Sequence, residues 1–335
     1  MKLNYESMDF DKPIYIKTLN GIGDFCWLAV KISYIKKIYN IPKIILRMQL
    51  AGDYRDSRAI DFIRKFDFID EIFETRFSIF KNKVCLNKRL NYIDLGYNKD
   101  KSEYTLIINP YIEHEGRIEQ ILPDVPCNFN FFNNSYQIDK QDIVFAKEFA
   151  KKGSLFGKGT IGHIVFHLGC KTNNTFNGMN KDASWKIIDW VKLAKKIRKI
   201  TNLPIYVLGA SYDNDYAEEF LQSCNDGNIF NLCGKTKITQ SIEMLRQSCL
   251  VVSFASGIGI ASTYLETPTL MFWMPETHSV SPYEFIHFSN SFSTNWVPPY
   301  CIGKSYMPAF YHIDDVNNVF NKCETLLKNN VWKNW

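Results

Sequence analysis

Short apolar runs alternate with longer segments whose apolar residues recur every three or four positions. Ile14–Lys17 is the first such run, followed by Gly21, Gly23 and an apolar-periodic segment from Asp24 to Tyr39: a strand, a tight turn and a helix. Lys43–Leu46 predicts a second strand, Ala59–Lys65 a helix, Ile69–Phe73 another strand, and Thr105–Ile108 a further buried run. Alternation of this kind predicts a parallel sheet covered by helices on both faces. From Asn128 to Lys158 the pattern loosens into Phe/Asn-rich sequence, a charged helix near Gln141–Lys152, and then Gly153, Gly157 and Gly159. A domain boundary is expected there.

The second half restarts the alternation with Ile164–His167, a helix at Trp185–Ile200, Ile205–Leu208, helices at Asp215–Ser223 and Ile238–Gln247, and strands at Val251–Ser253 and Leu270–Phe272. Within the Trp185 helix, Ile187, Val191, Ala194 and Ile197 share one face, while Lys192, Lys195, Lys196 and Lys199 lie off it as a solvated basic surface. The amphipathic segment Asp314–Leu327 is expected to close the chain, with packing back on the first domain as one option. The expected organisation is a domain at 1–155, a second at 156–312 and a C-terminal helical segment at 313–335.

Composition adds bounds rather than detail. A length of 335 residues exceeds what one core usually serves, and 46% hydrophobic with 22% charged residues is ordinary globular usage. The formal charge of +5 suits phosphate-bearing ligands but falls short of a nucleic-acid footprint. Nine cysteines without a CxxC pair argue against a zinc site or disulfide framework and for a reducing, cytoplasmic location. Met1–Asp11 is polar and carries Glu6, Asp9 and Asp11, unlike a signal sequence, and Cys249–Met274 is broken by Glu266 and Pro268, so no membrane span is expected.

Candidate chemistry gathers at strand ends. Asn20-Gly21-Ile22-Gly23-Asp24 joins a strand to a helix, where glycines admit close backbone approach and the helix start offers free N–H groups. It lacks the third glycine and the following acidic residue of a dinucleotide fingerprint, which disfavours a Rossmann dehydrogenase. Asp24 there is either a carboxylate that favours the helix dipole or a functional group. Ser253 through Ala261 leaves a strand and enters a helix through Gly257 and Gly259, suited either to a diphosphate or to close packing on the sheet. Phe166-His167-Leu168-Gly169-Cys170 marks another strand end; a lone histidine there is more often structural. Glu113-His114-Glu115-Gly116-Arg117 is a polar cluster able to bond sugar hydroxyls or to remain a solvated loop. No histidine and base partner for Cys170 is identifiable, so a thiol nucleophile is disfavoured.

In order and spacing these pieces resemble the heptosyltransferase-like glycosyltransferases (glycosyltransferase family 9-like). Gly21-Ile22-Gly23-Asp24 is similar to that family's early turn ending in its presumed general base. His167-Leu168-Gly169 followed by Ser184-Trp185 resembles its strand, loop and tryptophan-led helix. Val207-Leu208-Gly209-Ala210 with Asp213 resembles its ribose-binding strand end, and Asn231-Leu232-Cys233-Gly234-Lys235-Thr236 its base-pocket segment. Ser256-Gly257 through Thr267-Pro268 resembles its phosphate-facing turn, helix and strand. The departures are Ala255 for an aspartate, Ile260 for a histidine and Ala183 for a lysine, with Lys181 the nearest basic substitute. They imply that the donor need not be a heptose.

The resemblance implies an α/β, GT-B-like fold: two facing Rossmann-like domains with parallel sheets and an interdomain cleft. It implies inverting transfer of a sugar from a nucleoside-diphosphate sugar, with Asp24 as base and no cofactor or metal. The donor would meet Gly21, Gly23, His167, Gly169, Lys181, Gly209, Asp213, Cys233, Gly234, Ser256, Gly257 and Ile258, and Glu113, His114 and Arg117 would meet the acceptor. That acceptor is a glycan, lipopolysaccharide or other hydroxyl-bearing molecule, a nucleic acid included. A sugar-nucleotide epimerase and a non-catalytic nucleotide-sugar-binding protein are the alternatives.

Overall fold

A computed structural model of the chain describes residues 10–19, 22–50, 58–76, 105–108, 135–169, 185–254, 256–273, 306–310 and 315–329. The chain divides into two compact units, Met1–Gln137 and Ile138–Trp335.

In the first unit, β1 (Ile14–Leu19), α1 (Ile22–Tyr39), β2 (Ile44–Leu50), α2 (Arg58–Ile63), β3 (Glu71–Arg76) and β4 (Thr105–Ile108) follow in chain order. The sheet order is β3-β2-β1-β4 and every pairing is parallel. Its core joins Phe25, Ala29 and Ile32 of α1 to Ile44 and Leu46 of β2. Phe25, Phe62, Phe66 and Phe68 add a connected set of ring contacts. Aromatic side chains remove the most apolar area per residue, and such pairs favour tilted and edge geometries.

The second unit begins with α3 (Lys140–Phe149), capped by the Asp139 side chain, which accepts from Gln141 N. A hairpin follows, β5 (Lys151–Leu155) and β6 (Lys158–Gly162). Sequence periodicity carries the helix through Lys152, but the chain turns extended after Phe149. Phe156 and Gly157, both at positive φ (50° and 77°), form the two-residue turn such a hairpin favours. Because α3 packs on the second unit, the division falls at 137/138 rather than at the expected 155/156.

Beyond the hairpin come β7 (Ile164–His167), α4 (Ile187–Ile200), β8 (Ile205–Val207), α5 (Asn214–Cys224), β9 (Ile229–Asn231) and α6 (Ile238–Arg246). Then follow β10 (Leu250–Phe254), α7 (Gly257–Tyr264), β11 (Thr269–Trp273), β12 (Tyr306–Phe310) and α8 (Val316–Asn329). The six-stranded sheet runs β12-β11-β10-β7-β8-β9, all parallel, which is the doubly wound order of a nucleotide-binding domain. Phe166, Trp190, Leu193, Phe220 and Phe272 form one face of its core. The C-terminal helix α8 buries Val319, Cys323, Leu326 and Leu327 in that same core. It therefore packs on the second unit, correcting the option that it returns to the first domain. On α4, Lys192, Lys195 and Lys199 are exposed, as a solvated face requires. Among the described residues no helix is long and apolar enough to cross a membrane.

Candidate functional site

In the second sheet the chain order reverses between β7 and β10, and ligands of open α/β sheets bind outside the carboxyl ends of strands at such a switch point. On the β10 side, Ser256 is extended (φ −147°, ψ 170°) and caps α7, its side chain accepting from Gly259 N at 3.3 Å. Buried Ser253 donates to Phe254 O at 2.6 Å and shares a 3.1 Å hydrogen bond with Ser256 Oγ. The N–H groups of Gly257 and Ile258 then open the helix, where intrahelical acceptors are lacking and the dipole favours an anion. A side chain at 259 would meet Ser253 Oγ at 2.9 Å and Phe254 O at 3.0 Å, so glycine is what lets α7 lie this close to β10.

On the other side, His167 closes β7 with Nδ1 2.9 Å from Leu208 O. A carbonyl only accepts, so Nδ1 carries the proton and the ring is oriented by backbone. The structural reading of this histidine therefore has its partner. Gly169 beyond it has φ +71°.

β8 ends at Val207 and leads through Gly209 into the turn at Asp213. Asp213 Oδ2 accepts from Ala210 N at 2.7 Å, while Oδ1 is buried without a hydrogen-bond partner among the described residues; the residue is 7% exposed. A side chain at 209 would lie 2.7 Å from Asp213 Oδ2 and 2.9 Å from Cys233 Sγ, and one at 234, where φ is +71°, would lie 2.8 Å from Ser211 Cα. Two glycines thus draw three loops together, where His167, Leu168, Gly169, Asp213 and Cys233 lie side by side. Burial pushes the Cys233 thiol up to about 12, which keeps it protonated and removes it as a nucleophile.

Asn231 ties the outer strand end down: its amide donates to Asn214 Oδ1 at 3.0 Å and Glu218 Oε1 at 2.6 Å, and its Oδ1 accepts from Cys233 N at 2.8 Å. Sequence reading placed Asn231, Ser253 and Phe254 inside candidate segments but gave none of them a role of its own. The available signal was position alone, since each immediately precedes or ends a strand-to-loop junction already singled out.

The carboxyl edge of one sheet therefore brings together His167, Gly169, Gly209, Asp213, Cys233, Gly234, Ser256, Gly257 and Ile258. Asp24 belongs to the first unit, in the opening turn of α1 directly beyond the carboxyl end of β1, with Gly23 buried beside it in sequence. Gly21, Lys181, Glu113, His114 and Arg117 lie outside the described residues, as do Cys170 and Ala255. Among the described residues no group of His, Cys, Asp or Glu could hold a metal ion.

Residues 166–284, which span this edge, match the model of Glycosyltransferase family 9 (heptosyltransferase). The fold is similar to a Veillonella parvula glycosyl transferase family 9 structure, at TM-score 0.62 and 12% identity over 96% of this chain and 99% of that one. It is also similar to E. coli ADP-heptose lps heptosyltransferase II, at TM-score 0.54 and 14% identity over 95% and 98%. An E. coli heptosyltransferase with ADP matches at TM-score 0.54 and 11% identity, covering 95% of this chain and all (100%) of that one. In sequence the chain is 27% identical over 250 residues, 70% of its length, to nucleoporin NUP170 of Saccharomyces cerevisiae, of which it spans only 15%. Residues 166–284 are thus similar in sequence to the glycosyltransferase family 9 (heptosyltransferase) model, and the fold of nearly the whole chain is similar to solved glycosyltransferases of that family, GT-B-like in architecture.

Proposed function

We propose that the chain moves a sugar from a nucleoside-diphosphate sugar to an acceptor hydroxyl with inversion at the anomeric carbon, the second unit holding the donor and the first presenting the acceptor. The observation that carries this is the glycine-seated carboxyl edge of the second sheet, where the start of α7 and the unpartnered Asp213 Oδ1 offer complementary groups. The N–H groups of Gly257 and Ile258 suit the diphosphate, and they stabilise the charge that grows on it as the glycosidic bond breaks. Asp213 Oδ1 accepts a ribose hydroxyl, and Gly209, Cys233 and Gly234 border the nucleoside. Lys181 adds a cation for the donor, and Glu113, His114 and Arg117 meet the acceptor.

Asp24 is the base. It takes the acceptor's proton as that oxygen attacks from the face opposite the leaving group, so one displacement inverts the centre. A carboxylate in the first turn of a helix stays ionised beside the positive end of the dipole. Acceptors are glycans, lipopolysaccharide or other hydroxyl-bearing molecules, and the free cysteines among the described residues fit a reducing cytoplasm. No metal or cofactor takes part in this scheme. Ile260, buried at 6% exposure, stands where the resemblance expects a histidine, so the donor need not be a heptose.

The test is to incubate the protein with a panel of nucleoside-diphosphate sugars and acceptors, and to read product mass and anomeric configuration. Asp24→Asn is expected to bind donor normally and lose about 10²–10⁴ in turnover. Retained configuration, or near wild-type turnover by Asp24→Asn, overturns the mechanism. Donor binding without turnover across the whole panel would instead favour a binding protein.

A further inference from the structure

Phe254 touches both sides of the switch-point crevice. In β10 it lies in register with Phe272 of β11, their ring centroids 5.3 Å apart, and its ring meets Trp190 of α4 at 5.7 Å. The ring is thus seated on the aromatic core and 9% of the residue is exposed. Beyond β7 the backbone at Gly169 rests directly on it: a side chain at 169 would come within 2.5 Å of Phe254 Cδ2 and 3.1 Å of Cε2. The carbonyl of the same residue accepts from Ser253 Oγ at 2.6 Å and stands 3.0 Å from where a side chain at 259 would begin. One residue therefore spaces the end of β7 with its ring and seats α7 with its carbonyl.

We infer that Phe254 is a positioning residue for the donor diphosphate, its ring fixing the separation between the end of β7 and the start of α7. This rests on the function proposed above. The Phe254 ring meets the end of β7 and its carbonyl the start of α7, the part of the crevice proposed for the phosphates. A shrunken side chain leaves Gly169 without its seat and lets the two carboxyl ends relax toward each other. Displacements of about 1 Å in positioned groups can cost as much as ~10² in rate.

The experiment compares binding of nucleoside diphosphates with binding of the corresponding nucleosides, in wild type and in Phe254→Leu and the roomier-chain variant Phe254→Met. A ring that merely supports the fold would weaken both ligands alike. The expected result is at least about tenfold weaker diphosphate binding, within the range set by misplaced contacts, with nucleoside binding and far-ultraviolet dichroism unchanged. Gly169→Ala should also lose diphosphate binding, and adding Phe254→Leu should restore part of it by clearing the 2.5 Å clash. An unchanged ratio of diphosphate to nucleoside affinity in either folded Phe254 variant overturns the inference while leaving the donor site standing. Absence of nucleoside diphosphate binding in wild type overturns the donor site and this inference together. If neither Phe254 variant folds, Gly169→Ala decides: intact diphosphate binding there overturns the inference, and selective loss supports it.

Discussion

A buried carboxylate oxygen without a partner is costly, because desolvation removes water and nothing replaces it. Asp213 keeps such an oxygen at the edge of a sheet where β7, β8, β9 and β10 are followed by Gly169, Gly209, Gly234 and Gly257, which makes a hydroxyl donor its natural complement. Asp213→Asn retains the acceptor for Ala210 N and puts an amide where Oδ1 stood. We expect ribonucleoside diphosphate binding to weaken about tenfold, in line with hydrogen bonds to charged groups, and a deoxyribose analogue to show a much smaller change between wild type and variant. Equal loss for both ligands would assign Asp213 to the turn alone. Gly209, Gly234 and Asp213 were legible in the sequence through the resemblance of their segments to the glycosyltransferase family. Phe254 was not, since an aromatic at the end of an apolar strand looks like any core residue until its ring is found against Gly169.

Among elements, the parallel strands and their helices were readable because buried runs of four or five apolar residues alternate with strong 3.6-residue periodicity, as in Ile164–Val165–Phe166 followed by α4. The hairpin β5–β6 was hidden by its own composition: Lys151, Lys152, Gly153, Gly157 and Gly159 carry no alternation, and its pairing is specified by the turn at Phe156-Gly157. β9 was missed because Ile229-Phe230-Asn231 lies between Asn228 and Leu232 with a polar residue at its end, so no apolar run stands out as it does at β8. At the amino end of β7, His163 is fully buried with Nε2 2.8 Å from Met244 O, and burial pulls its pKa down to about 4. The unfolded chain titrates near 6.5, so the neutral ring favours the fold above that pH. The corresponding stability is lost as pH falls from 6.5 toward 4, by about 3 kcal/mol in all. His163→Leu should flatten the slope of urea stability against pH over that window. An unchanged slope in the variant would show that other groups carry it.

At the scale of the whole molecule, the two units have separate sheets and separate aromatic cores, so each is expected to melt with its own enthalpy and its own linkage to ligand. The proposed donor groups Asp213, Gly257 and Ile258 all belong to the second unit, whereas the proposed base Asp24 belongs to the first. A ligand that binds only one folded unit stabilises that unit by RT ln(1 + [L]/Kd), about 2.7 kcal/mol at one hundred times Kd. Calorimetry with a saturating nucleoside diphosphate should therefore raise one of two transitions and leave the other in place. Hydrogen exchange at intermediate temperature should assign the raised transition to β7, β10 and α7. A shift confined to α1 and the first sheet would put the nucleotide on the wrong unit and reverse the donor and acceptor assignments. Equal shifts of both transitions would mean that the nucleotide stabilises residues of both units at once, and Asp24→Asn, measured in the same way, would then show whether the carboxylate in α1 contributes to holding it.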